Sequence, residues 1–372
     1  MNTSESPVAG LARSGKPIGV GIIGLGAHGG WAGRSHLPAL RAVPGYEVRA
    51  LGASSRQSAE RSGQQHGVSR VFGTAAGLVG CDEVDLVVVA VKVPHHLELV
   101  RTALNAGKSV LCEWPLGNGL AEAEDMARSA HARALPTAVG LQARSHPALA
   151  YVRHLVADGY VGEVLSTTVV GSGGAWGGTV GPGDHDVLDA ANGTTLLTVP
   201  FGHALDGLAS VLGSPGTAHP AAVPAYVGHG HQERTARADD RPGPGGGLGA
   251  AARRRGGRLP LPRRHVPGHQ LPLGDQRHRG GPRPHRPDRA PAAQPLTLQG
   301  GRGTAAALEP LPVPGSYVRV PGLDPGADAP AYAVAHAYRQ FLDDLRDGTS
   351  RVPDFAHGVA RHRGIASVMT EA

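Results

Sequence analysis

The sequence predicts an α/β domain built on a doubly wound parallel sheet, followed by an α+β domain whose antiparallel sheet is incomplete. Three observations predict it. Short apolar runs alternate with amphipathic helical periods from residue 17 to about residue 160. A glycine cluster stands directly behind the first apolar run. From residue 160 the alternation stops, and a long Arg/Pro/Gly-rich stretch interrupts the elements that follow.

Residues 1–16 hold no apolar core of signal-peptide length and read as a disordered terminus. The first domain spans 17–140. Its strands are expected at residues 18–23, 46–53, 86–91, 109–113 and 137–141. The run at 86–91 is unbroken and rich in β-branched residues, as suits a parallel strand buried on both faces. Leu37, Leu40 and Val43 share one helix face, as do Leu97, Val100 and Leu104, a period stopped by Asn105-Ala106-Gly107. Residues 121–134 give a third helix. The second domain takes 141–231 and 304–372. It opens with a strand at 163–170 and a helix at 195–212 carrying Leu205, Leu208 and Leu212. An amphipathic helix at 331–346 presents Tyr338, Phe341, Leu342 and Leu345, and a last helix covers 354–369.

Composition narrows the function. The chain has 372 residues, 18% of them charged and 4% aromatic, with 56 Gly and 31 Pro. No apolar run approaches the roughly 20 residues of a spanning helix, so no membrane partner is expected. Two cysteines, Cys81 and Cys112, cannot build a disulfide framework, and a reducing cytoplasm is the expected location. The net charge of +6 is concentrated in residues 232–303, where 15 Arg face 5 acidic residues. Those 72 residues hold 14 Gly and 11 Pro but no Phe, Tyr, Trp, Ile or Met. No strand or helix period survives there, so too little apolar area is available to offset ordering entropy. The stretch reads as a disordered linker, or as a folded segment replaced through two compensating frameshifts in GC-rich DNA. It lacks aromatic interleaving and a recognition helix, so no specific nucleic-acid partner is expected.

Four motifs carry chemistry. Gly24-Leu25-Gly26-Ala27-His28-Gly29 follows a strand and opens a helix, the setting in which a GxGxxG turn binds a dinucleotide. Its first glycine suits the tight turn, its second close approach to a pyrophosphate, its third helix–strand packing, as in a Rossmann domain. The second strand ends in Ser54, Ser55 and Arg56 without an acid, which favours the 2′-phosphate of NADP over the bare ribose of NAD. The alternative for Arg56 is a solvated helix start. Val93, Pro94 and His96 follow the third strand, where a nicotinamide ribose would lie; the alternative for His96 is a helix cap. Glu113 and Trp114, then Pro115, close the run at 109–113.

These motifs, with 103–110 (ALNAGKSV) and 159–166 (GYVGEVLS), stand in the order and spacing that resemble the glucose–fructose oxidoreductase / inositol dehydrogenase / MocA family. The resemblance covers about residues 17–215 and returns at 308–372. It implies an NAD(P)-dependent oxidoreductase acting on a sugar or polyol hydroxyl, with a homodimer through the C-terminal sheet if that sheet is complete. Gln142 and Arg144 follow the run at 137–141 and are candidates to hold a sugar hydroxyl or carboxylate, and Gln142 is also a cofactor-binding candidate. Where the family has a catalytic Lys the chain has Trp114, which has no titratable group. Where the family has an Asp the chain has Val199, while His203 and Asp206 align. His203 is thus the one catalytic candidate, a general base or else a structural histidine. These departures resemble a subgroup that includes the fungal galactose-regulon repressor, which implies the alternative of an inactive NAD(P)-binding regulator or sensor. No metal is expected: Asp184-His185-Asp186 and His229-Gly230-His231 lack a second ligand cluster. The string 10–16 imitates a P-loop but precedes a strand and is rejected.

Overall fold

Apolar runs and their capping residues generate the elements in order. The computed structural model describes residues 6–27, 29–169, 187, 189–213, 273–274, 296–303 and 307–370. α1 is Pro7–Ser14, β1 Ile18–Ile23, α2 Gly30–Arg34, α3 His36–Ala42 and β2 Tyr46–Gly52. α4 (Arg56–His66), β3 (Arg70–Phe72), α5 (Ala75–Val79) and β4 (Leu86–Val89) follow. α6 (His96–Asn105), β5 (Ser109–Glu113), α7 (Leu120–Ala132), β6 (Thr137–Gly140) and α8 (Pro147–Ala157) complete the alternating part. Beyond it lie α9 (Gly202–Leu212), the short strands β7 (Leu273–Gly274), β8 (Thr297–Gly300) and β9 (Glu309–Pro310), and the helices α10 (Ala329–Asp347) and α11 (Phe355–Thr370).

The six strands β1 to β6 pair in parallel in the order β3-β2-β1-β4-β5-β6. Every residue of β1, β4 and β5 is buried, as a sheet covered on both faces requires. The order reverses between β1 and β4, so a crevice opens beyond their carboxyl ends. Two core clusters cover the two faces of the sheet, each drawing on β1, β2, β4, β5 and β6: one packs them against α1, α3 and α10, the other against α6, α7 and α11. The last two helices therefore cover the parallel sheet. Tyr46 donates to the Tyr338 carbonyl at 3.0 Å, and the Val139 N–H donates to the Pro353 carbonyl at 2.7 Å.

Several expectations need correction. Residues 7–14 are helical where disorder was expected: Val8 and Ala12 keep only 2% and 1% exposure, and Arg346 Nε donates to the Ala12 carbonyl at 3.1 Å. Docking on α10 supplies what this short peptide lacks alone. β3 was not expected; its three residues have no fully buried side chain to mark them. Residues 163–169 form no strand. Among the described residues no segment pairs with them, and Leu165 is 71% exposed. The interrupted stretch 232–303 is not uniformly without period. Thr297–Gly300 pairs antiparallel with β7 and β9, with Leu298 buried, because Leu298 and Gly300 alternate inward against outward Thr297. Among the described residues the second-domain sheet is this small antiparallel one. The rest of 232–303, residue 170, Asp184–Asp186 and His229–His231 lie outside the described residues. Among the described residues one helical run, Ala190–Leu212, has the length and apolarity of a spanning segment, although it carries the fully buried Asp206.

Candidate functional site

The glycine turn sits at the switch point. Gly24 has φ +105°, and a Cβ there would run into the Ala90 carbonyl at the end of β4. It therefore satisfies the tight turn and close strand approach together. At Gly26 a Cβ would meet nothing within 4 Å, so the backbone there lies open to the crevice. This is the cradle a pyrophosphate requires, and the residues present fit a dinucleotide. Gly29 departs from its expected role. A Cβ there would also meet nothing within 4 Å, and what requires glycine is φ +96°, not helix packing. The turn closes through the Gly29 N–H to the Gly26 carbonyl at 3.1 Å. Leu25 is buried beneath it and the Ser62 hydroxyl donates to its carbonyl at 2.5 Å; Ala27 borders the turn, and His28 lies outside the described residues. The helix that opens here is only the short α2, with α3 continuing it.

At the end of β2, the Ser55 hydroxyl caps α4 by accepting from the Ser58 N–H at 3.2 Å. Arg56 is exposed and donates to Glu60 at 2.7 Å and to the Val71 carbonyl at 3.2 Å. Ser54 is exposed beside them. Val93 and Pro94 form a 3-10 turn leading into α6. His96 is buried and does not cap α6. Its Nδ1 lies 3.0 Å from the Pro115 carbonyl and its Nε2 3.1 Å from the Val91 carbonyl, so it ties the loops after β4 and β5 together. Burial lowers its pKa, opposed by those carbonyls.

The end of β5 divides into two environments. Glu113 accepts from His36 Nε2 at 2.8 Å, and His36 Nδ1 lies 2.8 Å from the Tyr338 hydroxyl. Sequence reasoning missed His36 and Tyr338 in this role, because their partners stand 77 and 302 positions away. A small cavity of about 20 Å³ lies between His36, Glu113, Gln142 and Phe341. Gln142 Oε1 is buried without a hydrogen-bond partner among the described residues. Trp114 faces the other way. Its Nε1 donates to the Thr198 carbonyl at 2.6 Å, and its ring packs against His362 at 4.7 Å between centroids. A Cβ on Gly202 would come within 2.5 Å of that nitrogen, so the indole lies directly on the start of α9. Trp114 thus packs the end of β5 against the start of α9.

Arg144 is engaged within the protein. It grips Asp206 with Nε at 2.8 Å and Nη2 at 3.0 Å, and His357 Nε2 adds a third bond at 2.6 Å. Arg361 Nε stands 3.4 Å from the same carboxylate. Burial works against the charge of Asp206, but these cationic donors prevail and hold its pKa below the usual value. His203 is on the same helix. Burial lowers its pKa, partly opposed by the negative charges of Glu113 and Asp206. Among the described residues no group of three or more His, Cys, Asp or Glu is arranged to hold a metal.

Comparison with known proteins agrees with this geometry. Residues 18–141 match the oxidoreductase family model with an NAD-binding Rossmann fold, and residues 147–226 match the C-terminal domain of Gal80p. The dehydrogenase AclE of Aspergillus oryzae is 34% identical over 210 residues, 55% of this chain and 57% of its own. The galactose/lactose metabolism regulatory protein GAL80 of Saccharomyces cerevisiae is 30% identical over 51% of this chain and 46% of its own. The chain spans about half the length of the curated relatives it matches. A super-repressor mutant of Gal80p from S. cerevisiae shares the fold, with a TM-score of 0.63 at 18% identity over 95% of this chain and 96% of that one. The glycine turn at the switch point and the all-parallel six-stranded sheet accord with these matches: residues 18–141 are similar to the NAD-binding Rossmann domain of the Gfo/Idh/MocA oxidoreductase family, and residues 147–226 to the C-terminal domain of Gal80p.

Proposed function

We propose that this chain binds a nicotinamide dinucleotide over Gly26 and uses it to oxidise or reduce a hydroxyl carbon of a sugar or polyol. The observation that carries the reading is the open backbone at Gly26, flanked by two glycines of positive φ at the carboxyl edge of β1. Bound coenzyme would supply the hydride chemistry. His203 is the proton acceptor in this reading: burial favours its imidazole form at neutral pH. The absence of an acid after β2 favours NADP. Arg56 would have to exchange Glu60 for a phosphate, and an exposed pair of that kind is worth only about 0–1 kcal/mol. The buried free thiols Cys81 and Cys112 suit a reducing cytoplasm.

A second reading is a coenzyme-binding regulator without turnover. One observation favours it: the family lysine position is filled by Trp114, hydrogen-bonded and packed against α9. Titrating the full chain with NADPH and NADH by nicotinamide fluorescence, then assaying a polyol panel, separates the two. Turnover that His203→Ala abolishes supports the enzyme. Binding without turnover supports the regulator, and no binding of either coenzyme overturns both.

A further inference from the structure

His36 belongs to the crossover that carries the glycine turn: it begins α3, directly after α2. Its ring nevertheless reaches the far side of β4, to the carboxyl end of β5. There Nε2 meets Glu113 Oε1 at 2.8 Å, while Nδ1 meets the Tyr338 hydroxyl of α10 at 2.8 Å. The His36 side chain is 1% exposed, whereas that of Glu113 keeps 12%. Of the three groups the carboxylate therefore keeps the most exposed surface. The hydrogen bonds fix a direction. With the tyrosine hydroxyl donating to Nδ1, the imidazole proton resides on Nε2 and is given to Glu113 Oε1. One carboxylate oxygen is thus committed, and a carboxylate has a second with which to accept from a diol. The carboxylate also lies in the space left by the missing side chain of Gly140: a Cβ there would come within 2.5 Å of Oε1 and 2.9 Å of Oε2. The Tyr338 ring itself is held edge-on against His36 and Tyr46, at centroid distances of 5.8 and 5.3 Å.

We propose that His36, oriented by Tyr338, is a positioning residue that fixes Glu113 to accept hydrogen bonds from the nicotinamide-side ribose of a dinucleotide held over Gly26. This rests on the coenzyme-binding reading above. The assignment separates the two halves of the ligand. The glycine turn grips the diphosphate and adenosine side, whereas Glu113 stands two strands away and acts on the nicotinamide side alone.

The test uses the full chain and three probes: NADPH, NADH and ADP, which lacks the nicotinamide ribose. His36→Leu removes the donor to Glu113 while filling similar volume. It is expected to weaken the reduced coenzyme that wild type binds by about ten- to hundredfold, the range for one hydrogen bond to a charged group. ADP affinity stays within about twofold. His36→Gln, whose amide nitrogen can take the place of Nε2–H, restores most of the loss. Tyr338→Phe, which frees the ring to change tautomer, gives a smaller loss of reduced coenzyme and none of ADP. Unchanged coenzyme affinity in His36→Leu overturns the inference and leaves the coenzyme reading intact. Parallel loss of ADP and coenzyme also overturns it, because that pattern reports general damage to the glycine turn. If wild type binds ADP but neither reduced coenzyme, or binds none of the three, the coenzyme reading itself fails and this inference with it.

Discussion

Acidification should unfold this protein through its buried histidines well before its carboxylates protonate. Burial pushes both His146 and His362 down to about 4 from 6.5. The two sites differ in what they lose. His146 Nδ1 accepts the Ala148 N–H at 3.1 Å and caps α8, so a proton there removes the cap. His362 lies against Trp114 with its Nε2 unpartnered among the described residues, so a proton there introduces a buried charge. A folded-state pKa below the unfolded one means that the unfolded chain takes up the proton first. Stability is therefore full above about pH 6.5 and is lost as pH falls toward 4. At pH 5 each group removes about 2 kcal/mol, and the pair about 4 kcal/mol, comparable to the whole stability of a marginal domain. His96, His203 and His336 are shifted the same way by burial and add to the effect. Asp206, whose pKa is lowered, loses its contribution only below the unfolded carboxylate value and so lies outside this window. Urea denaturation at pH 7.5 and pH 5.0 measures the difference, and His146→Gln with His362→Gln should flatten it by about half or more. Equal midpoints at the two pH values would refute the argument.

Three further outcomes follow from the geometry. Gly24→Ala should cost about 3 kcal/mol or more through its φ and the Ala90 carbonyl, while Gly26→Ala should leave the melting temperature nearly unchanged yet abolish NADPH fluorescence enhancement; thermal melts beside titrations check both. Asp206→Asn should destabilise by about 3–5 kcal/mol, since it leaves Arg144 and Arg361 without their shared buried carboxylate; chemical denaturation measures it. Deleting residues 1–14 should lower stability by about 2–4 kcal/mol through loss of the buried Val8 and Ala12 and of the bond from Arg346, read as a shift in urea midpoint at constant buffer.

Much of the fold was legible because burial on two faces leaves a strong mark. β1 and β5 fall where the apolar runs stand, and the glycine turn falls where the motif stands. Elements whose stability comes from docking left none: α1 owes its order to α10, and β3 pairs only at the sheet edge. The reverse failure occurred at residues 163–169, whose β-branched residues describe a strand but which pair with no segment among the described residues. At the site, Gly24, Gly26 and Glu113 were visible as a motif. The partners that set their chemistry were not. Tyr338 reads as an ordinary apolar position of an amphipathic helix, and only its hydroxyl, 2.8 Å from His36, shows otherwise. Arg144 looked like a ligand-holding cation for the same reason: Asp206, 62 positions on, neutralises it.

α10 and α11 roof the two sides of a sheet laid down some two hundred residues earlier. A ribosome therefore releases the sheet with α1, α3, α6 and α7 in place but part of each apolar face uncovered, and those parts stay uncovered until α10 and α11, within about the last forty residues, emerge. A nascent chain halted anywhere in between would present those faces to chaperones, and a stop codon late in the gene would damage its first domain as surely as its last.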